Sequence, residues 1–232
     1  MYVNNINLTE KYGAMLITKD IQNSEVTNYN DWLDNAIGPI RIKEEKFKFS
    51  KITVTLLIEG TDEEDVLTKI SNILDLCKSG ILKFQDIDYY YNISLANSAN
   101  KKIICKVYEL TLEYQSSYKY SEEVTETINR VITKTITANG NTITPAIIEI
   151  TPSVTIIDLE LTINGEAITI KNLTASKKTI LNGEDDTVTE LGINKFADTD
   201  LWEFPRLKPG INVITVNRSN CDITIRYKPR YI

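Results

Sequence analysis

The chain has 232 residues, 42% of them hydrophobic and 25% charged, with a formal net charge of −6. These proportions fit a globular protein rather than a disordered one, and the acidic balance argues against general nucleic-acid binding, which draws on excess Lys and Arg. No histidine is present, which removes Ser-His-Asp and Cys-His catalysis, His-ligated metals and the commonest general base near neutral pH.

No apolar run approaches the roughly 18 residues of a membrane helix. The start of the chain has no basic region followed by an apolar core, so no secretion leader is expected. Cys77, Cys105 and Cys221 are far apart and odd in number. They suggest neither a disulfide framework nor a zinc site, and each is expected to fill a small core position in a protein made in a reducing cytoplasm.

Taken in order, residues 1–20 predict two short strands around a turn at Gly13, the first carrying Val3, Ile6 and Leu8. Residues 22–39 are polar and irregular, anchored by Trp32, Leu33 and Ile37. They read either as a long surface connection or as a segment that orders against a neighbouring subunit. Residues 40–60 alternate, with Ile52, Val54, Leu56 and Ile58 on one face and a parity break near Ser50. A one-sided helix follows, with Thr61 and Glu64 as a capping box, Val66, Ile70, Ile73, Leu74 and Cys77 at helical spacing, and Gly80 as its stop. Residues 81–84 predict a short strand. Tyr89, Tyr90 and Tyr91 suit a half-buried pleat or an interface. Residues 101–114 predict one long strand with Ile104, Tyr108, Leu110, Leu112 and Tyr114 on a single face.

Residues 115–123 lack apolar periodicity, which places a domain boundary between 122 and 123. Residues 1–122 then form an α+β domain with one helix on an antiparallel sheet. Beyond the boundary, short Ile-, Val- and Thr-rich runs are separated by Asn139-Gly140, Asn164-Gly165 and Asn182-Gly183, each a hairpin signal. Residues 123–232 therefore predict an all-β sandwich, with its prolines flanking the strands, and the whole chain is mainly β.

Nothing here marks an enzyme or a cofactor site. The nine glycines form no phosphate-binding loop. The acidic pieces 184–186 and 198–200 lack calcium-loop spacing and read as solvated turns. Trp202 has two readings: packing in the core with Phe204, which is the expectation, or stacking on a sugar ring from an exposed sheet. No His or cluster of Arg and Asn stands beside it in sequence to complete a sugar site.

Residues 204–212 (FPRLKPGIN) and the ending Pro229-Arg230-Tyr231 carry a resemblance, supported by 140–150 (GNTITPAIIEI), 163–166 (INGE) and 180–183 (ILNG). In this order and spacing they resemble the C-terminal domain of the phage distal tail protein (Dit) family. The first half is compatible through its strand ending at Gly60, its helix near Cys77 and its Tyr-rich strand. It departs from the family's Arg-Asp-Gly loop, where this chain has 31–39 (DWLDNAIGP). The resemblance implies a galectin-like C-terminal sandwich and an N-terminal domain that forms a ring, usually six-fold, in the virion tail tip. The partners implied are other copies of the chain, the tail tube protein, the tail-tip or tail-associated lysin protein, and receptor-binding proteins, without specific nucleic-acid binding or membrane insertion. Candidate contact residues are Trp32, Asp34, Ile37, Pro39, Trp202, Arg206 and Arg230. The alternative function is a carbohydrate-binding module using the C-terminal sandwich.

Overall fold

The computed structural model describes residues 1–27, 30–31, 34, 37–38, 40–41 and 46–232. These form two units, residues 1–119 with Ile232, and residues 120–231. In the first unit, β1 (Tyr2–Val3) returns as β2 (Ile6–Asn7) through Asn4 and Asn5, both at positive φ. The next residues form a short helix, α1 (Leu8–Tyr12), where a strand was expected. Asn7 caps it by accepting from Thr9 N, and Gly13, at φ 67°, ends it by donating to the Leu8 and Thr9 carbonyls. That left-handed stop is what a glycine after a helix supplies.

β3 (Met15–Ile21) lies at one edge of the sheet. Two small ladders follow. β4 (Val26–Thr27) pairs with β7 (Lys46–Phe47), and β5 (Asn30–Asp31) pairs with β6 (Ile40–Arg41), both antiparallel. The segment read as irregular thus carries nested strand pairs. β8 (Ser50–Glu59) begins where the parity break was expected and buries Ile52, Val54, Leu56 and Ile58 completely. Each such side chain contributes about 1.5–3 kcal/mol by leaving water.

The helix α2 (Glu63–Leu76) starts one residue later than its sequence signal. Asp62 is the cap, its Oδ1 accepting from Asp65 N at 2.9 Å, and Asp65 Oδ2 accepts from Thr61 N at 2.9 Å. One donor of the first turn, Asp65 N, and the N–H of Thr61 just before the cap are thus satisfied by carboxylates, which also face the positive end of the helix dipole. The helix stops at Cys77, whose N–H donates to Ile73 O at 2.9 Å, not at Gly80. Gly80 lies within β9 (Ser79–Lys83) at φ 140°. There a Cβ would overlap the Asn4 side chain, which accepts from Ile81 N at 2.9 Å and donates to Ser79 O at 3.3 Å.

The long strand expected across 101–114 is a hairpin instead: β10 (Tyr90–Ile104) turns at Cys105 and Lys106 into β11 (Val107–Tyr120). Ile104 is exposed, and Cys105 is exposed rather than in the core, while Cys77 and Cys221 are buried as expected. Residues 115–120, which show no apolar periodicity in sequence, continue β11; Gln115 pairs with Lys51 and Ser116 with Ser50. The sheet order is β2-β1-β9-β10-β11-β8-β3. Val66, Ile70, Ile73 and Cys77 of the helix side join Ile52 to Ile58, Leu82, Phe84, Tyr91, Leu110, Leu112 and Tyr114 in one core.

The second unit is built from β12 (Val124–Asn129), β13 (Thr133–Ala138), β14 (Thr144–Pro152), β15 (Ile156–Ile163) and β16 (Glu166–Leu173). Then come β17 (Thr179–Asn182), β18 (Thr187–Glu190), β19 (Ile193–Asn194), a single 3-10 turn (Phe196–Asp198) and β20 (Thr199–Leu201). It ends with β21 (Arg206–Leu207), β22 (Gly210–Val216), β23 (Cys221–Tyr227) and β24 (Arg230–Tyr231). One sheet runs β12-β23-β14-β17-β18-β19 with β21 beside β14, and the other runs β13-β22-β15-β16-β20. Their inner faces share a core that includes Ile148, Ile150, Ile223 and Ile225 from the first and Leu159, Leu161, Ile168, Ile170 and Ile214 from the second. The chain is mainly β, as its alternation predicts.

Of the three Asn-Gly pairs, Asn164-Gly165 has both residues at positive φ, 52° and 91°, and forms a tight hairpin between β15 and β16. Asn182-Gly183 opens a wider hairpin between β17 and β18, with Asp186 left-handed. Asn139-Gly140 makes no hairpin, because β13 and β14 belong to different sheets. Pro145 and Pro152 lie inside and at the end of β14 instead of flanking it.

Candidate functional site

The C-terminal unit carries a groove at the tip of the β15–β16 hairpin, and it is built by the stretch 201–212. Leu201 ends β20 opposite Ile168 of β16, and the chain then leaves the sheet. Trp202 is 96% exposed. The core role expected for it is therefore wrong: no strand continues through 202–204 to put Trp202 and Phe204 on one inner face. Phe204 instead stacks on Phe196, with centroids 6.0 Å apart and rings 22° from parallel.

Pro205 is buried and its carbonyl accepts from Ala146 N at 2.9 Å. Gly183 makes this crossing possible, since a Cβ there would collide with the Pro205 carbonyl. β21 then pairs with β14, Thr144 opposite Leu207 and Pro145 opposite Arg206.

The turn after it is closed by Asn212, which is completely buried. Its Oδ1 accepts from Lys208 N at 2.9 Å and from Asn164 Nδ2 at 2.7 Å; its Nδ2 donates to Lys208 O at 2.8 Å and Gly210 O at 2.9 Å. Asn164 Oδ1 in turn accepts from Val213 N at 3.0 Å. One amide thus uses its full hydrogen-bonding capacity to tie the Pro209-Gly210 turn to the Asn164-Gly165 hairpin. This is the physical role of the Pro-Gly-x-Asn motif.

Between these pieces lies a groove of about 470 Å³, with Ile143, Ile163, Phe204 and Trp202 as apolar walls and Glu166, Glu203, Arg206 and Lys208 as charged ones. Arg206 and Glu203 form an ion pair. A second cleft of about 380 Å³ shares Ile143, Phe204, Pro205 and Arg206 with it and adds Asp186 and Arg230. Arg230 is held by its backbone: its N–H donates to Thr144 Oγ1 at 3.1 Å and its carbonyl accepts from Asn141 N at 3.0 Å.

Of the residues singled out from sequence, Trp202, Arg206 and Arg230 are brought together along these two clefts. Asp34 and Ile37, in the first unit, are exposed; Trp32 and Pro39 lie outside the described residues. Sequence reasoning missed Ile143, Asn164 and Glu166, which the fold brings beside Trp202 from strands and turns distant in the chain.

The acidic segments are engaged in local turns and ion pairs. Asn182 Oδ1 accepts from the backbone N–H of Glu184 and Asp185, a turn device. Lys195 Nζ sits 3.0 Å from Asp198 and, with Asn172, holds that carboxyl below its usual range. Among the described residues no group of three or more His, Cys, Asp or Glu is placed to hold a metal ion, and no helix is long and apolar enough to cross a membrane.

Residues 139–231 match the family described as siphovirus-type tail component, C-terminal domain. The resemblance drawn from the 140–231 motifs is thereby borne out. No curated protein matches the chain. Among solved structures, the Dit protein of phage SPP1, described as a paradigm of hub adsorption apparatus in phages infecting Gram-positive hosts, superposes with a TM-score of 0.80 at 14% identity, covering 99% of this chain and 98% of that one. Chains of the phage P2 baseplate in its activated conformation match with TM-scores of 0.56 with Ca and 0.57 with Sr, both at 12% identity, covering 94% of this chain and 91% of theirs. At these identities the likeness establishes the fold, from end to end of the chain.

Proposed function

We propose that the protein is a structural hub of a phage tail tip: a distal tail protein that joins the tail tube to the tail-tip and receptor-binding machinery. The observation that carries this reading is the match of 139–231 to a siphovirus tail component, on a chain whose whole fold superposes on SPP1 Dit. In this reading the first unit assembles with other copies into a ring of six. The tail tube packs on one side of the ring and the tail-associated lysin on the other. The C-terminal sandwich carries receptor-binding proteins.

Self-assembly through the first unit has physical support in β3, which among the described residues is an edge strand of its sheet. β3 ends the sheet order and exposes Met15 and Ile17, at 59% and 50%. An edge strand with free backbone groups and bare apolar side chains is a template for another chain. The reading assigns no catalysis, in keeping with a chain that has no histidine.

Two measurements test it. Native mass spectrometry and negative-stain microscopy of the purified protein should give rings that dissociate in a Met15→Asp, Ile17→Asp variant. Antibody to the protein should label the distal end of tails; label along the tube, or none on intact virions, overturns the reading.

A further inference from the structure

The groove beside Trp202 lies in the C-terminal unit, apart from the ring contacts proposed for the first unit, and its chemistry is specific. We infer that it binds a neutral saccharide, with the indole of Trp202 as the stacking platform. The inference is independent of the hub assignment, since a ring protein and a monomer could equally carry such a site.

Three observations lead to it. First, Trp202 is 96% exposed beside a concavity rather than over a flat face. A free indole is costly to leave in water, and it offers a ligand an apolar plane together with an N–H donor. The nearly flat C–H face of a pyranose ring suits that plane. Second, the groove's volume, about 470 Å³, falls within the ~300–1,000 Å³ of small-ligand sites. The adjoining cleft of about 380 Å³ allows more than one sugar ring along the same wall.

Third, the charges balance. Glu166 and Glu203 oppose Arg206 and Lys208 in the groove, and Asp186 opposes Arg230 in the cleft. Hydroxyl groups both donate and accept, so a polyol can use carboxylates and cations side by side. A nucleotide, a sulfated sugar or a strongly charged peptide would leave one sign of that lining unmatched. The floor is also fixed in advance, because the Asn212 network anchors both the hairpin tip and the 208–212 turn. Such pre-organisation lowers the ordering cost of a weak ligand.

The test uses the full chain with Trp32→Phe, which leaves Trp202 as its sole tryptophan, since the sequence has two. Its emission is followed during titration with neutral oligosaccharides (maltotriose, lactose, the N-acetylglucosamine trimer, a rhamnose disaccharide) and with two charged probes, sialyllactose and a glycerol-phosphate oligomer. At least one neutral saccharide should produce a saturable shift with a dissociation constant of about 1 mM or tighter, stronger than either charged probe. Saturation-transfer NMR on the unmodified chain should place that sugar on an aromatic ring. Trp202→Ala and Arg206→Ala should each weaken binding by about tenfold or more, without moving the unfolding transition. The inference is overturned if no neutral sugar binds, if a charged probe binds more tightly, or if Trp202→Ala binds as well as the parent. It also fails if Trp202→Ala instead blocks attachment of another virion protein while no saccharide binds, which would make the groove a protein-docking surface.

Discussion

Removing the side chain of Asn212 should cost more than any other single polar change in the C-terminal unit. The residue is completely buried, and its amide makes hydrogen bonds of 2.7 to 2.9 Å to Lys208 N, Lys208 O, Gly210 O and Asn164 Nδ2. A hydrogen bond of this kind contributes about 0.5–1.5 kcal/mol net. The partners lie in turns that are partly open to water, so some recover a solvent partner when the amide is gone. The expected loss for Asn212→Ala is therefore about 2–4 kcal/mol. In a unit of this size about 1 kcal/mol moves the melting temperature by roughly 4–8 °C, so the transition should fall by roughly 8–32 °C.

Asn212→Asp separates this account from simple cavity formation. The shape is kept, but an acceptor replaces the donor that faces the Lys208 and Gly210 carbonyls. Near neutral pH that variant should be at least as unstable as Asn212→Ala, because an unpaired buried carboxylate is added to the lost bonds. Burial and the two carbonyls raise the folded pKa of the introduced carboxyl above its unfolded value. The penalty is therefore small below the unfolded value, where the acid is neutral in both states, and grows as pH rises. Urea denaturation followed by circular dichroism across acid to neutral pH reads both effects. A loss under about 1 kcal/mol for Asn212→Ala, or an Asn212→Asp variant that is the more stable of the two at neutral pH, would refute the reasoning.

Other outcomes follow from the same kind of geometry. Gly80→Ala should destabilise the first unit by about 2 kcal/mol, since φ 140° strains any L side chain and the new methyl displaces Asn4 from Ile81 N; urea midpoints check this. Asp62→Ala should cost about 1 kcal/mol by uncapping α2, whereas Thr61→Val should cost less, because the Thr61 hydroxyl donates to Asp65 over a long 3.5 Å while its backbone N–H, at 2.9 Å, is kept. Hydrogen bonding from Lys178, with Arg226 beside it, holds the Glu149 carboxyl below its ordinary 4.5. Its folded value is depressed, so its stabilisation is complete above 4.5 and is lost as pH falls through the lower folded value; Glu149→Gln should flatten that part of the acid-stability curve in calorimetry. Residues 120–231, expressed alone, should show a cooperative β-sheet melt, because the unit has its own core.

How much of this was legible in the sequence depends on whether one face of an element is wet. Ile52, Val54, Leu56 and Ile58 alternate against half-exposed neighbours, so β8 announces itself. The outer part of β10 is exposed along residues 96–104; with no buried face it has no hydrophobic period, and its turn at Cys105 and Lys106 uses none of the usual turn residues. That is why a hairpin looked like one strand. The short helix α1 did leave a trace: Asn7 Nδ2 donates to Glu10 Oε1 at 2.8 Å, an Asn-x-x-Glu capping pattern followed by Gly13, outweighed in reading by the apolar residues around it. The cap of α2 was misplaced by one residue because Thr61-Glu64 and Asp62-Asp65 have the same spacing, and only the backbone angles decide between them.

The groove shows a harder limit. Trp202 and Phe204 stand two apart, which in a strand would put them on one face; the chain leaves the sheet at Leu201, and only Phe204 turns back inward. No local pattern could say so, because the residues that take the place of a strand partner, Phe196 and Ala146, come from a 3-10 turn and a distant strand. The same holds for the polar lining. Trp202 stood without a cluster of polar partners in sequence, yet Glu166 and Lys208 line the same groove because Asn212 fastens the 208–212 turn to the β15–β16 hairpin. The motif that identifies the domain is thus also the clamp that assembles the groove. Asn212→Ala should weaken saccharide binding even under conditions where the sandwich stays folded, whereas Trp202→Ala should weaken binding by about tenfold or more and leave stability untouched. If both variants changed stability and binding in the same proportion, groove and clamp could not be separate parts of one device.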